Sequence, residues 1–208
     1  MSGCGCGYPE SAWTWWDQPY RAEDPVPCGD GALVVPVPAR PDLAADLIGR
    51  AQAARERRRA DFLSRYGQSA HVLVNEANAL ALRRIVSVHG WPGSRLVGVR
   101  GAEAALSVAL GVDRSFFLRT LLRMLDTAVA SGDAPRVHQA LVYDRMCVLE
   151  GRPQRYGTQF RSGRGGVREV WPVAEPELLD IRRADVGLPP AARARGAVGP
   201  ECGERALA

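Results

Sequence analysis

The chain has 208 residues, enough for one domain with a hydrophobic core plus some tail. Its 46% apolar and 24% charged content is ordinary for a soluble globular chain, and no window approaches the long uncharged apolar run that a membrane span needs. The net charge is +4 and the pI about 9.0, but every basic residue is Arg and none is Lys; with abundant Ala, Gly and Pro this reads as GC-rich coding bias, so the basic balance argues little for a polyanionic partner.

Met1-Ser2-Gly3-Cys4-Gly5-Cys6 has neither a basic start nor an apolar stretch, so no signal peptide is read and a cytoplasmic location is expected. The five cysteines, Cys4, Cys6, Cys28, Cys147 and Cys202, are odd in number and scattered, which argues against a disulfide framework.

Residues 1–41 are rich in Gly, Pro, Cys and Trp and form an extension, with Trp13, Trp15 and Trp16 close together. Leu33 to Pro38 suits a short extended segment that its prolines confine to an edge. From Asp42 the spacing of Leu43, Leu47, Ile48, Ala51 and Ala54 predicts a helix, continued by the charged run Arg55 to Arg59 and stopped near Gly67. Asn75 suits the cap of a second helix, with Leu80, Ile85 and Val88 near one face and Ala77, Ala81 and Leu82 beside them. Gly90 ends it and Pro92 blocks continuation.

Ser94 to Val99 reads as a loop or short strand, and Gly101 to Leu110 as an Ala-rich helix whose small residues allow close helix approach. Asp113 or Ser115 opens a strong helix lined by Phe116, Phe117, Leu121, Met124, Leu125 and Val129, ending at Gly132. Pro135 sits in the first turn of the next, which runs to about Glu150. Arg155 to Phe160 then alternates like a strand, Ser162 to Gly166 turns, and Val167 to Val173 returns, which predicts a β-hairpin. Glu175 to Val186 is a last short helix. The prediction is a mainly α fold: a compact domain of about six helices over residues 42–190 with one C-terminal β-hairpin, and a flexible tail at 191–208.

His89-Gly90-Trp91-Pro92-Gly93 closes the second helix. A His in a last turn gains from the helix macrodipole when protonated, which is a structural role; an acid/base role is the functional alternative. Trp91 either packs or walls a pocket. Asp144 shares a helix face with Val137, Leu141 and Val148, and an acid among apolar neighbours needs partners. A structural ion pair and a site carboxylate both fit this pattern. His138 reads as a surface or boundary residue. Gln154, Tyr156, Thr158 and Gln159 supply neutral donors and acceptors that suit orienting a polar ligand, or satisfying helix ends. Arg182 and Arg183 offer an anion contact, with an Asp180–Arg183 pair as the structural alternative. Cys4, Cys6 and Cys28 lack a second close pair or a nearby His, so no metal and no cofactor are expected. No phosphate loop, dinucleotide fingerprint or hydrolase motif is present.

Asn78, His89-Gly90-Trp91-Pro92-Gly93, Asp144-Arg145, Gly151-x-x-Gln154-x-Tyr156-Gly157-Thr158-Gln159 and Asp180-x-Arg182-Arg183, in this order, resemble an uncharacterised bacterial family, a domain of unknown function. The resemblance covers roughly Leu47 to Pro190 and implies a mainly helical fold without an established activity. It also implies polar groups that this chain lacks: an Asp at Ala51, an Asp at Asn75, a Gln-His pair at Leu110 and Gly111, and a polar residue at Leu118. If those groups form an acid–base site, losing one costs typically about 10²–10⁴ in rate.

Three functions follow as expectations. The first is a pocket that binds or acts on a small polar molecule or peptide end, with His89, Asp144 and Tyr156 at the chemistry and Asn78, Trp91, Arg145, Gln154, Thr158, Gln159 and Arg182 around the ligand. The second is a non-catalytic accessory protein, a degenerate relative that meets a protein partner through Trp13, Trp15 and Trp16. The third and weakest is nucleic-acid binding through Arg55 to Arg59 and the Arg-rich tail.

Overall fold

In a computed structural model of the chain, the residues described are 37–63, 70–162 and 168–192. Among them the architecture is mainly α. The helices are α1 (Pro41–Leu63), α2 (Ala70–His89), α3 (Ser94–Leu110), α4 (Ser115–Ala130), α5 (Arg136–Leu149) and α6 (Leu179–Asp185). Strands β1 (Phe160–Ser162) and β2 (Arg168–Val170) form an antiparallel hairpin with Arg161 opposite Glu169, and a 3-10 turn at Pro176–Leu178 leads into α6. Trp13, Trp15, Trp16, the Cys4/Cys6/Cys28 set, Gly67, Gly163 to Gly166 and most of the C-terminal tail lie outside the described residues.

The core is built where small residues let helices close in. On α1, Ala44, Leu47, Ala51 and Ala54 are buried along one stripe, as their spacing predicts. Gly101 of α3 sits against Val97 and Ala44, so close that a Cβ there would come within 2.7 Å of the Val97 side chain. The Ala-rich character of α3 therefore brings α1 and α3 together, burying Ala102, Ala105, Val108 and Ala109. Leu118, Leu121 and Leu125 of α4 are fully buried in the same core, together with Val142 and Cys147 of α5. A second, smaller cluster under α5 gathers Val137, Ala140, Leu141 and Leu188.

Several local expectations are corrected. Asn75 does not cap α2; the helix begins at Ala70, and the Asn75 carboxamide instead faces Gly111 at the end of α3. The buried face of α2 runs through Asn78, Leu82, Ile85 and Val86, while Leu80 and Val88 are exposed. Phe116 of α4 is also exposed, one position off the stripe that Leu118, Leu121 and Leu125 define.

Ser94 to Val99 is helical rather than a loop or strand. Its N-terminus is capped from another part of the chain. Ser94 N–H donates to the Asp133 carbonyl at 3.0 Å, and Arg95 N–H to the Asp133 carboxylate at 2.7 Å. Such a cap leaves no local signature, because the acceptor lies 38 residues away in sequence. Gly98, at φ +70, breaks α3, and the nearby carbonyls of Arg95 and Leu96 accept N–H bonds from Ala39 and Arg40. The segment preceding α1 is thereby laced onto α3.

Candidate functional site

The polar motif of the sequence converges on Asp144. Its carboxylate is fully buried at the inner face of α5. It accepts N–H bonds from Arg155 at 2.8 Å, Tyr156 at 3.0 Å and Thr158 at 3.0 Å, and the Thr158 hydroxyl at 2.9 Å. This geometry explains why residues 155–159 are not the strand that their alternation suggested. A strand points successive amides to opposite sides, whereas here three amides turn toward one oxygen pair. Gly157, at φ +64, supplies the left-handed step between them. Burial pushes the Asp144 carboxyl above the usual carboxylate range, and the N–H groups of Tyr156, Thr158 and Arg155 and the Thr158 hydroxyl offset that only in part. All three N–H groups can only donate, so each favours the carboxylate against the cost of its burial.

The same loop is held from two further sides. The Gln154 side chain, fully buried, donates to the carbonyls of Gln159 (3.0 Å) and Trp171 (2.9 Å) and accepts Gln159 N–H at 2.8 Å. It ties the loop to the hairpin. Gln159 donates in turn to the Thr158 hydroxyl at 3.2 Å. Opposite Asp144, the buried Arg183 of α6 donates to the Tyr156 carbonyl at 2.6 Å and to the Pro189 carbonyl at 2.6 Å. Tyr156 thus has its N–H on a buried anion and its carbonyl on a buried cation. The expected Asp180–Arg183 side-chain pair does not form; Asp180 accepts Ala191 N–H at 2.8 Å instead. The Arg182 guanidinium is occupied by the carbonyls of Ala174, Glu175 and Leu178.

The other sequence-predicted site residues stand apart from this network. His89 is exposed, and its ring meets the Arg40 guanidinium at 3.4 Å. Trp91 is buried, edge-on to His138 with ring centroids 6.4 Å apart. Asn78 exchanges two long hydrogen bonds with Arg50, joining α2 to α1. Arg145 grips Asp113 at 2.5 Å across the start of α4. The structure therefore brings together Asp144, Gln154, Tyr156, Thr158 and Gln159, and leaves His89, Asn78, Trp91, Arg145 and Arg182 in separate structural settings.

His138 corrects its reading as a boundary residue. It is 3% exposed, and burial holds its imidazole down to about 4. The reason lies in the Gly90–Gly93 corner. Gly90 turns left-handed at φ +72, and Gly93 packs so tightly on the α4–α5 turn that a Cβ would lie 2.4 Å from the Asp133 carbonyl oxygen. Trp91 between them is pressed onto the first turns of α5, covering His138. Neither Trp91 Nε1 nor His138 Nδ1 has a hydrogen-bond partner among the described residues.

One cleft opens beside the clamped loop, with a volume of about 520 Å3. Leu122 and Ala140 form its apolar floor between α4 and α5. Tyr143 and Tyr156 meet edge to face at 6.4 Å, and the Arg155 guanidinium lies 5.9 Å from the Tyr156 ring centre. Asp126 and Gln139, hydrogen-bonded to each other, complete it. Of this set only Tyr156 stands among the site residues expected from the sequence. Tyr143 adjoins Asp144, but Asp126 and Gln139 sit on exposed or half-exposed helix positions that nothing in the pattern singles out. Among the described residues no three His, Cys, Asp or Glu side chains are grouped to hold a metal ion, and no helix is long and apolar enough to cross a membrane.

Fold and site together define a small helical protein whose buried polar motif clamps a loop beside a half-open cleft. The chain belongs to a family of unknown function, DUF6624, whose pattern matches residues 52–195. No curated protein and no solved structure matches it.

Proposed function

We propose that this chain binds a small polar molecule or a peptide end in the cleft lined by Tyr143, Arg155 and Tyr156, and does not convert it. The observation that carries this reading is the saturation of Asp144. It is the one buried carboxylate among the described residues, and its oxygens are filled by the loop that presents Arg155 and Tyr156 to the cleft. A carboxylate so occupied has no free lone pair aimed at a substrate proton. Its work is to hold the wall rigid, which lowers the ordering cost of binding.

The resemblance to relatives supports the same view. Where it implies an acid and an imidazole, this chain has Asn75 and Gly111 side by side, the Asn75 Oδ1 only 3.1 Å from where a Gly111 Cβ would stand. The side chains that would do proton chemistry there are replaced by an amide and a hydrogen. A degenerate relative that kept its fold and a binding cleft accounts for both facts.

The test is a thermal-shift panel of small polar molecules and short peptides against wild type and Tyr156→Ala. A ligand at about 100 times its Kd stabilises by about 2.7 kcal/mol, several degrees in a chain of this size. The expected result is a shift in wild type that Tyr156→Ala reduces, with the ligand recovered unchanged. Recovery of a converted product, or an equal shift in both proteins, would overturn the proposal.

A further inference from the structure

We infer that the cleft ligand is a zwitterion: a short peptide or amino-acid-like molecule carrying a free ammonium, a free carboxylate and a planar or apolar body between them. The inference rests on the cleft being a binding site at all and names what it takes.

Most arginines near the site are already matched: Arg119 and Arg152 share Glu150, Arg145 holds Asp113, and Arg161 holds Glu169. Arg155 differs. No carboxylate partners it among the described residues; its guanidinium lies over the Tyr156 ring, while its own backbone N–H is anchored on Asp144. A guanidinium with a fixed backbone and an open fork is suited to a carboxylate, which it can grip with two parallel bonds.

The same cleft holds a charge of the other sign. Asp126 accepts one bond from the Gln139 amide, and no cation partners it among the described residues. Asp126 and Arg155 line one space yet form no ion pair with each other. Two opposite charges that line one cleft without pairing are both matched by one molecule only if that molecule carries both signs. A purely anionic ligand would sit against Asp126, and a purely cationic one against Arg155, each a like-charge contact.

Size and surface fit the same class. About 520 Å3 lies within the usual range of small-ligand sites and exceeds what a single small amino acid fills. The two tyrosines and the Leu122–Ala140 floor give the body of the ligand an aromatic and aliphatic bed.

The probe is the dipeptide phenylalanyl-alanine with both ends free, compared with its N-acetylated and its C-amidated forms. Binding is followed by titration on isotope-labelled protein, read at the amides of Tyr143, Arg155 and Tyr156. The free dipeptide is expected to shift those amides, and blocking either end to weaken it by roughly three- to tenfold. In Arg155→Ala the amidated and free forms should bind alike; in Asp126→Asn the acetylated and free forms should. The Asp144 anchor accepts a backbone N–H, so Arg155→Ala keeps it and the fold. Equal binding of all three forms to wild type, or shifts elsewhere, overturns the zwitterion. If another molecule from the panel moves these amides while the dipeptides do not, the binding site stands and the zwitterion falls. If none moves them, both fall.

Discussion

Asp144→Asn should destabilise the protein nearly as much as Asp144→Ala. The usual expectation for this isosteric change is mild, because size and polarity persist. Here the three backbone groups facing the carboxylate, the N–H groups of Arg155, Tyr156 and Thr158, can only donate, and the Thr158 hydroxyl alone could turn to accept. Asparagine keeps one acceptor oxygen and replaces the other with an NH2 that meets donors head on. At least one buried N–H is then orphaned, and bonds to an ionised acceptor become neutral ones. An orphaned buried donor costs about 1–3 kcal/mol, and a hydrogen bond to a charged group contributes about 1.5–3 kcal/mol. The sum for Asn is about 3 kcal/mol, and for Ala about 3–5 kcal/mol, a large part of the stability of an ordinary domain. Urea denaturation of the three proteins measures it. If Asp144→Asn lies within about 1 kcal/mol of wild type, the carboxylate is not the hub of the loop.

His138 gives a pH dependence. Its folded imidazole titrates near 4, below the 6.5 of an exposed histidine. Between those values the unfolded chain binds a proton that the folded chain does not, so stability rises with pH across the window. The contribution is fully present above about 6.5 and falls by up to about 3 kcal/mol as pH drops toward 4; His138→Phe should flatten that part of a stability–pH curve measured by chemical denaturation. Gly93→Ala should destabilise by at least about 2 kcal/mol, through overlap with Asp133 rather than backbone strain, since φ at Gly93 is −78; a thermal melt within error of wild type would count against the close docking of the corner. Asp113→Asn should cost less than about 1 kcal/mol, because its pair with Arg145 is largely exposed on the Asp113 side; a larger loss in denaturation would mean that the pair organises the α3–α4 turn.

The site was legible in part, and the pattern of success is physical. Asp144 among apolar neighbours announced a carboxylate in need of partners, and Gln154 to Gln159 held enough donors to supply them. The pairing itself was invisible, because it runs between a helix side chain and the backbone amides of another segment, and backbone carries no sequence. The alternation of Arg155 to Phe160 suggested a strand for the same reason: the period was right, but Asp144 bent three amides to one side. Arg182 and Arg183 look equivalent in sequence. Only their places on α6 send Arg183 to the Tyr156 carbonyl and Arg182 to the carbonyls before the helix. His89 sits in the most distinctive motif of the chain, yet that motif is distinctive because Gly90 and Gly93 must turn and dock, with Trp91 buried between them.

Local pattern in the chain sets the mainly α architecture with its hairpin, the helix ends at Gly90 and Gly132, and the apolar stripes of α1 and α4. These follow from local rules of period, glycine and proline that act within a turn or two of the chain. Tertiary structure decided the rest: that Asp133 caps α3 across the fold, that Trp91 covers His138, and that Asp126, Gln139, Tyr143, Arg155 and Tyr156 share one cleft. Each of those depends on a capping bond, a burial or a shared space set by residues distant in sequence, and no local pattern encodes which distant group will arrive.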